Sequence, residues 1–181
     1  MIQGYIDALL KFRDKKLSLP HRVIFFSIGG TMFLVIIPWV LVIVGRTINS
    51  HIGFDLPYAF KVIAGVVFIF SGLFFLAWSA LSQWIIGKGT PSPFVPTKEL
   101  VVAGPYKLCR NPIQLGGILY YLGFGVFFDS LTAGLFCFLV GLIIGSVYHK
   151  FVEEKELSIR FGEEYRKYKE RTPFLIPRLS R

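Results

Sequence analysis

Residue types that can do chemistry are concentrated in two polar segments of the chain. The first runs from Lys98 to Gly117 and has the sequence KELVVAGPYKLCRNPIQLGG. Within it Tyr106 supplies an aromatic ring and Arg110 a cation, and both come shortly before Pro112. Because proline is favoured at the first position of a helix, Pro112 predicts a helix start. The free N–H groups of such a start suit a carboxylate or a phosphate.

The second segment lies near the C-terminus and is rich in charge. Glu153 and Glu154 stand side by side, and His149 precedes Glu153 by about one helical turn. A helix is predicted to continue from here, interrupted at Gly162 and ended by Pro173. Its apolar face carries large side chains at steps of four, four and three, namely Leu157, Phe161, Tyr165 and Tyr168.

Long apolar stretches must position these two segments. The chain is 54% hydrophobic and 17% charged, whereas soluble domains carry about 25% charged residues. A membrane-spanning helix needs about 20 mostly apolar residues. The uncharged runs therefore predict an all-α, polytopic membrane protein with about four transmembrane helices, and the polar loop and the C-terminal helical tail are expected to form its functional site. The four helices are predicted near residues 23–45, 60–84, 112–127 and 131–150.

The chain is predicted to be a single integral-membrane domain over residues 1–181. Residues 1–22 are expected to form an interfacial N-terminus, and they lack the apolar core of a signal peptide. Residues 23–84 hold the first two spans. Residues 85–178 hold both polar segments, the third and fourth spans and the C-terminal helix.

The charge is divided along the chain in a way that predicts its orientation. The net charge is +9, and the excess of Lys and Arg falls in residues 1–22, 83–112 and 150–181. With four crossings these segments lie on one side, so the positive-inside rule places both termini in the cytoplasm. Basic juxtamembrane segments favour anionic membrane lipids as partners, and no nucleic-acid partner is expected.

The cysteines and histidines do not predict a metal site. Cys109 and Cys137 have no spacing typical of a disulfide framework or of zinc ligands. Cys137 is expected to pack as a small side chain. His51 has no ligand-type residue at a suitable spacing and is expected to lie in a solvated loop between Arg46 and Lys61.

The order of these motifs resembles the isoprenylcysteine carboxyl methyltransferase family, in a prokaryotic-type form. The resemblance covers about the C-terminal half, from Gly87 to Arg178. Its first part consists of Gly87-Lys88-Gly89-Thr90-Pro91-Ser92-Pro93, Leu100-Val101, Gly104-Pro105-Tyr106, Arg110-Asn111-Pro112 and Leu115-Gly116. Its second part consists of Glu153-Glu154, Leu157, Phe161-Gly162-Glu163, Tyr165, Tyr168 and Ile176-Pro177.

The resemblance implies an integral-membrane methyltransferase whose cofactor is S-adenosyl-L-methionine and whose acceptor is lipophilic. The implied cofactor-binding residues are Leu100, Val101, Tyr106, Asn111, Pro112, Gln114 and Glu153. Asn111 and Gln114 depart from the family, which usually has histidine and tyrosine there. His149 stands where eukaryotic members place a substrate-binding arginine, so His149 and Arg110 are the candidate substrate-binding residues. No catalytic residue is assigned, because a carboxylate acceptor is already ionised and needs no base.

Other functions remain open on the sequence alone. A phospholipid amine or a thiol is an alternative acceptor for the same fold. Membrane sterol reductases that use NADPH have similar C-terminal halves, but they would require a further phosphate site and more spans. A non-catalytic membrane scaffold is the third alternative, and it would be favoured if Asn111 and Gln114 abolish cofactor binding. The identity of the acceptor and the oligomeric state are left open.

Overall fold

The structure is a computed structural model that describes Gly4, Ile24 and residues 27–91 and 96–177. The predicted interfacial N-terminus, residues 1–22, lies outside the described residues apart from Gly4. All regular elements in the described part of the chain are helical. They are α1 (Ser27–Ile52), α2 (Tyr58–Ile85), a 3₁₀ turn (Gly104–Lys107), α3 (Pro112–Phe128), α4 (Leu131–Tyr148), a π-helical turn (His149–Glu153) and α5 (Glu154–Arg171).

The helices confirm the predicted all-α membrane fold. α1 has 26 residues and α2 has 28, enough at about 1.5 Å per residue to cross a hydrocarbon core of about 30 Å. α4 adds 18 apolar residues before the first charged ones. α3 is the shorter apolar helix, with 17 residues. The chain is therefore a multi-pass integral membrane protein.

The first helix is longer than predicted. It was expected to end near residue 45, with a loop from Arg46 to Lys61, but α1 continues to Ile52. The connection to α2 is only Gly53 to Pro57, and Gly53 ends the helix in the left-handed conformation at φ 67°. The prediction was wrong because Arg46 was taken as the end of the span. The Arg46 side chain is 64% exposed, so its charge does not prevent the helix from continuing, and it donates to Asp129 at 2.7 Å.

The helix that was predicted as the fourth span continues into the C-terminal tail without a break as far as Gly162. α4, the π-helical turn and α5 together form a helical segment of 41 residues, Leu131–Arg171, that is kinked at Gly162. Glu153 is therefore the last residue of the π-helical turn, and Glu154 is the first residue of α5. The predicted interruption at Gly162 is confirmed, since its φ of 50° and ψ of −121° are not helical. Pro173 follows the last turn, as predicted.

The chain divides into two compact units. The motif unit is built mainly from Trp78–Pro112 and Ser146–Arg181, and the bundle unit from Gly30–Ala77 and Ile113–Gly145. Each polar segment identified in the sequence lies largely in the motif unit. The bundle unit holds most of α1 and α2 and nearly all of α3 and α4.

The core of the bundle unit is aromatic and tightly packed. The hydroxyls of Tyr120 and Tyr121 donate to backbone carbonyls of α1, at Leu34 and Phe33 respectively, at 2.7 and 3.0 Å. These carbonyls lie in a π-helical stretch of α1, Met32–Ile36. Cys137 is fully buried in the same cluster, which confirms its prediction as a packing residue.

Glycine allows α2 and α3 to approach closely. A Cβ atom at Gly72 would lie 2.4 Å from the backbone nitrogen of Tyr120, and one at Gly123 would lie 2.5 Å from that of Ile69. No larger residue fits at these distances without separating the helices. The predicted role of the glycines in helix packing is confirmed at these positions.

Candidate functional site

A glycine turn places Tyr106 in the interior of the motif unit. Gly104 has φ 62°, in the left-handed region that favours glycine, and it opens the 3₁₀ turn Gly104–Lys107. A Cβ atom there would lie 2.8 Å from the Ser82 hydroxyl oxygen. The turn that Gly104-Pro105 predicted is thus confirmed, and close packing against the end of α2 explains why glycine is required.

Tyr106 is held by hydrogen bonds at both ends. Its hydroxyl accepts from the side-chain amide of Gln83 at 2.6 Å, and its backbone carbonyl accepts from the hydroxyl of Tyr168 at 2.8 Å. Burial, with the negative charge of Glu153 adding to it, raises the pKa of Tyr106 well above its usual value. Tyr106 is therefore a neutral, fixed ring close to Glu153.

Arg110 forms a buried ion pair with the second glutamate of the pair. Its Nη1 lies 2.6 Å from Oε1 of Glu154, and both side chains are about nine-tenths buried. Lys169 donates to the other oxygen of Glu154. The guanidinium of Arg110 also lies 5.6 Å from the centre of the Phe174 ring. Glu154 therefore connects the motif loop, which is the segment between α2 and α3, to the second half of α5 through Arg110 and Lys169.

Asn111 fixes the residues that follow α5. Its side-chain amide donates to the carbonyl of Phe174 at 2.9 Å, and its backbone N–H donates to the same oxygen at 3.2 Å. The backbone N–H of Arg110 donates to the carbonyl of Pro173 at 2.8 Å. Asn111, which stands where the family usually has histidine, thus holds the C-terminal segment beside the start of α3 by hydrogen bonds.

Glu153 differs from its two acidic neighbours because it is accessible. Glu154 and Glu156 are 7% and 6% exposed, and each is paired with a basic side chain. The Glu153 side chain is 33% exposed and contacts Nδ1 of His149 within the π-helical turn. Of these three glutamates, Glu153 has the most exposed side chain.

His149 and Glu153 lie beyond the apolar part of the helix and shift each other's protonation. Burial opposes ionisation of Glu153, but the charge and hydrogen bond of His149 and the charge of Arg160 outweigh it, so the pKa of Glu153 is lowered. Burial likewise lowers the pKa of His149, but the charges of Glu153 and Glu154 outweigh it, and the net direction is upward. The pair therefore favours a carboxylate next to a protonated imidazole.

The structure brings most of the predicted site residues into one unit. Val101 and Pro112 are buried and Leu100 is half-buried, and all three belong to the motif unit with Tyr106, Arg110, Asn111, His149 and Glu153. Gln114 belongs to the bundle unit, where its side-chain amide donates to the carbonyl of Leu142 at 3.2 Å.

Sequence reasoning missed several residues that hold this group in place. Arg160 donates to Glu156 at 2.7 Å and to the backbone carbonyl of Thr97. The spacing of Glu156 and Arg160 by four residues is a readable signal for such a pair. No comparable signal joins Gln83 to Tyr106, because 23 residues separate them.

Two further features of the motif unit bear on binding. A cleft of about 340 Å³ is lined by Trp84, Lys88, Gly89, Thr90 and Lys98. The ammonium group of Lys88 is paired with Glu99. Burial raises the pKa of Cys109 to about 11, so its thiol is protonated at neutral pH. Among the described residues, no three His, Cys, Asp or Glu side chains are grouped so as to hold a metal ion.

The fold and this group of residues define a helical membrane protein with an accessible carboxylate next to its last span. The chain belongs to the phospholipid methyltransferase family, whose profile matches residues 60–164, more than half of its length. This is a family of membrane methyltransferases that depend on S-adenosylmethionine. The family relationship that the motifs predicted is confirmed, and the matched region begins earlier than the predicted start at Gly87.

The relatives of this chain are named for different functions. The chain is 32% identical over 120 residues to methanethiol S-methyltransferase 1 of Bradyrhizobium diazoefficiens, a match covering 63% of this chain and 39% of the relative. It is 35% identical over 83 residues to nickel-cobalt-cadmium resistance protein NccN of Alcaligenes xylosoxydans xylosoxydans, covering 45% of this chain and 38% of that one.

A mammalian relative is named for the same activity as the isoprenylcysteine carboxyl methyltransferase family that the motifs resemble. The chain is 32% identical over 83 residues to protein-S-isoprenylcysteine O-methyltransferase of Mus musculus, a match that covers 45% of this chain and 28% of the relative. The matches thus span about two fifths or less of the length of these curated relatives. No solved structure matches the chain at a comparable level of significance.

Proposed function

We propose that this protein is an integral-membrane methyltransferase that transfers the methyl group of S-adenosylmethionine to a lipophilic acceptor. The observation that carries the proposal is the state of Glu153. It is the accessible member of a group of carboxylates whose other members, Glu154 and Glu156, are buried in ion pairs. An accessible carboxylate of lowered pKa suits the amino group of the cofactor.

Other residues of the motif unit suit the rest of the cofactor. Tyr106 offers an aromatic ring of fixed position, and Leu100 and Val101 are apolar residues of the same unit. Asn111 and Pro112 mark the start of α3, which suits the cofactor's carboxylate. When bound, the cofactor supplies an electrophilic methyl group on a sulfonium. The role of the protein is then to position the reactants and to exclude water. The assignment of Gln114 to this site remains a prediction from the resemblance.

The acceptor is proposed to present its polar end at His149. The side chains of His149 and Lys150 follow the apolar α4 directly, so a lipophilic acceptor in the bilayer reaches them at the membrane surface. A carboxylate acceptor would be attracted by the charge of Lys150 and needs no base. Arg110 was a third candidate for this role, but its guanidinium is engaged by Glu154 at 2.6 Å.

A thiol is the second candidate acceptor. The relative from Bradyrhizobium diazoefficiens is named a methanethiol S-methyltransferase, and in this chain an imidazole stands beside Glu153. Neutral histidine takes a proton from a thiol at near-neutral pH. The acceptor sulfur would then form the new bond to the methyl carbon, while the electron pair of the broken bond returns to the cofactor's sulfur and the proton goes to His149.

The experiment is a methyl-transfer assay on the full chain reconstituted in lipid vesicles. Radiolabelled S-adenosylmethionine is offered with a panel of prenylcysteine, phospholipid amine and thiol acceptors, and the lipophilic products are extracted and counted. We expect label in one acceptor class. Binding of S-adenosylhomocysteine without label in any class would favour the non-catalytic scaffold, and absence of binding would reject the cofactor as well.

A further inference from the structure

His149 and Glu153 form a contact that differs from the other ion pairs of α5. Their side chains meet within a π-helical turn of five residues, His149–Glu153, at the point where the apolar helix becomes charged. π-Helical turns are rare and often occur at functional sites. The side chains are 17% and 33% exposed, so the pair is enclosed on one side and open on the other.

Three of the basic side chains near Glu153, other than His149, form ion pairs with other glutamates. Arg110 and Lys169 engage Glu154, and Arg160 engages Glu156. In the described part of the chain, His149 is the side chain that hydrogen-bonds to Glu153, and Arg160 acts on Glu153 through its charge alone. A ligand that binds the Glu153 carboxylate therefore competes with the hydrogen bond from His149, and the imidazole of His149 can lose its positive charge by releasing a proton.

We propose that His149 is a positioning residue that holds the Glu153 carboxylate until the amino group of the cofactor replaces it, and that His149 gives up its proton in this exchange. The proposal rests on the proposed function, because the competing ligand is the cofactor. It assigns His149 a task in cofactor binding, before any acceptor arrives.

The electrostatic surroundings give the direction of the exchange. Glu153 and Glu154 both act on His149 and favour its protonated form. Tyr106, Tyr165 and Tyr168 also lie near Glu153, but burial raises the pKa of each phenol, so they stay neutral. Arg110 is committed to Glu154. When an ammonium group takes Glu153, His149 loses its counter-ion and gains a neighbouring positive charge, and both changes lower its pKa.

A proton released on binding makes the affinity depend on pH. The affinity for the cofactor rises with pH over the interval between the pKa of His149 in the complex and its higher pKa in the free protein. A full exchange of one proton corresponds to a change of about tenfold in the dissociation constant per pH unit. The neutral imidazole that results is also the form able to accept a proton from a thiol or amine acceptor.

The test is titration calorimetry of the full chain in detergent with S-adenosylhomocysteine, from pH 5.5 to 8.5, in buffers of different ionisation enthalpy. Buffer dependence of the binding enthalpy measures the protons released. We expect the wild type to release a substantial fraction of one proton and to bind more tightly as the pH rises. His149→Gln, which cannot be protonated, should lose this release and bind with nearly constant affinity.

A matched histidine serves as the control. His51 is exposed at the end of α1 and contacts the carbonyl of Thr47, so His51→Gln should keep the proton release of the wild type. Equal proton release in the wild type and in His149→Gln would overturn the inference while leaving cofactor binding intact. Wild-type binding without any buffer dependence would overturn it even if the variant fails to fold. Absence of binding at every pH would overturn the proposed function together with this inference.

Discussion

Arg110 and Glu154 meet at 2.6 Å in the interior of the motif unit, although 44 residues separate them in the chain. Because of this contact, the adjacent residues Glu153 and Glu154 have different partners. Glu154 uses both its oxygens on Arg110 and Lys169, while Glu153 faces His149 and remains accessible. One glutamate thus stabilises the structure around the motif loop, and the other is left for a ligand.

Replacing Glu154 should therefore reduce stability. Glu154→Gln leaves the nearly buried guanidinium of Arg110 without its counter-ion, and breaking one side of a buried ion pair typically costs about 3–5 kcal/mol. The measurement is the thermal unfolding midpoint of the purified protein in detergent. Glu164→Gln, an exposed position on the same helix, is the control and should change the midpoint little. Equal midpoints for the two variants would contradict the buried-pair assignment.

The sequence was sufficient to predict local features of this site. The uncharged runs predicted the apolar helices, and Gly104-Pro105 and Gly162 predicted a turn and an interruption because glycine there adopts a conformation that other residues avoid. The tyrosine spacing predicted the face of α5 on which Tyr165 and Tyr168 lie. These signals are local, because each depends on residues within a few turns of one another.

Contacts between distant segments could not be predicted in the same way. Glu154 with Arg110, Gln83 with Tyr106, and Asn111 with Phe174 are pairings that exist only once the chain has folded. The end of α1 was also misplaced, because Arg46 lies inside the helix, where its exposed side chain donates to Asp129, 83 residues later. A charged residue in the sequence therefore does not by itself locate the end of a membrane-spanning helix.

A pH effect on stability is expected at the connection between α1 and α2. Asp55 accepts from the backbone N–H groups of Leu56 and Leu131 and pairs with Lys61 at 2.9 Å. Burial opposes its ionisation, but these donors outweigh it and lower the pKa of Asp55. A carboxyl whose pKa is lowered on folding stabilises the folded state above its unfolded pKa of about 3.9, and this stabilisation is lost as the pH falls through the folded value.

Asp55→Asn should test this directly. We expect a loss of about 1 kcal/mol at pH 7, the usual value of a hydrogen bond, and a smaller difference from the wild type as the pH is lowered below about 4. Unfolding midpoints of both proteins are measured from pH 3 to pH 7. A difference that stays constant over this range would show that ionisation of Asp55 does not contribute.

The proposed orientation can be tested by chemical labelling. Cys109 and Cys137 are fully buried, so a single introduced cysteine at an exposed position reports its own side of the membrane. Lys107→Cys in the motif loop should react with an impermeant maleimide only after the membrane is opened. Phe54→Cys, in the connection before α2, should react in intact cells. Labelling of Lys107→Cys in intact cells would reverse the proposed orientation.

The central claim is that Glu153 binds the amino group of S-adenosylmethionine, and a pair of matched variants tests it most directly. Glu163→Gln is the control, because Glu163 is an exposed carboxylate of the same helix that pairs with Arg166. Binding of S-adenosylhomocysteine to both variants and the wild type is measured by titration calorimetry. Loss of a hydrogen bond to a charged group costs about 1.5–3 kcal/mol. We therefore predict that Glu153→Gln raises the dissociation constant by about tenfold or more and that Glu163→Gln leaves it unchanged. Wild-type affinity in a folded Glu153→Gln protein would contradict the account.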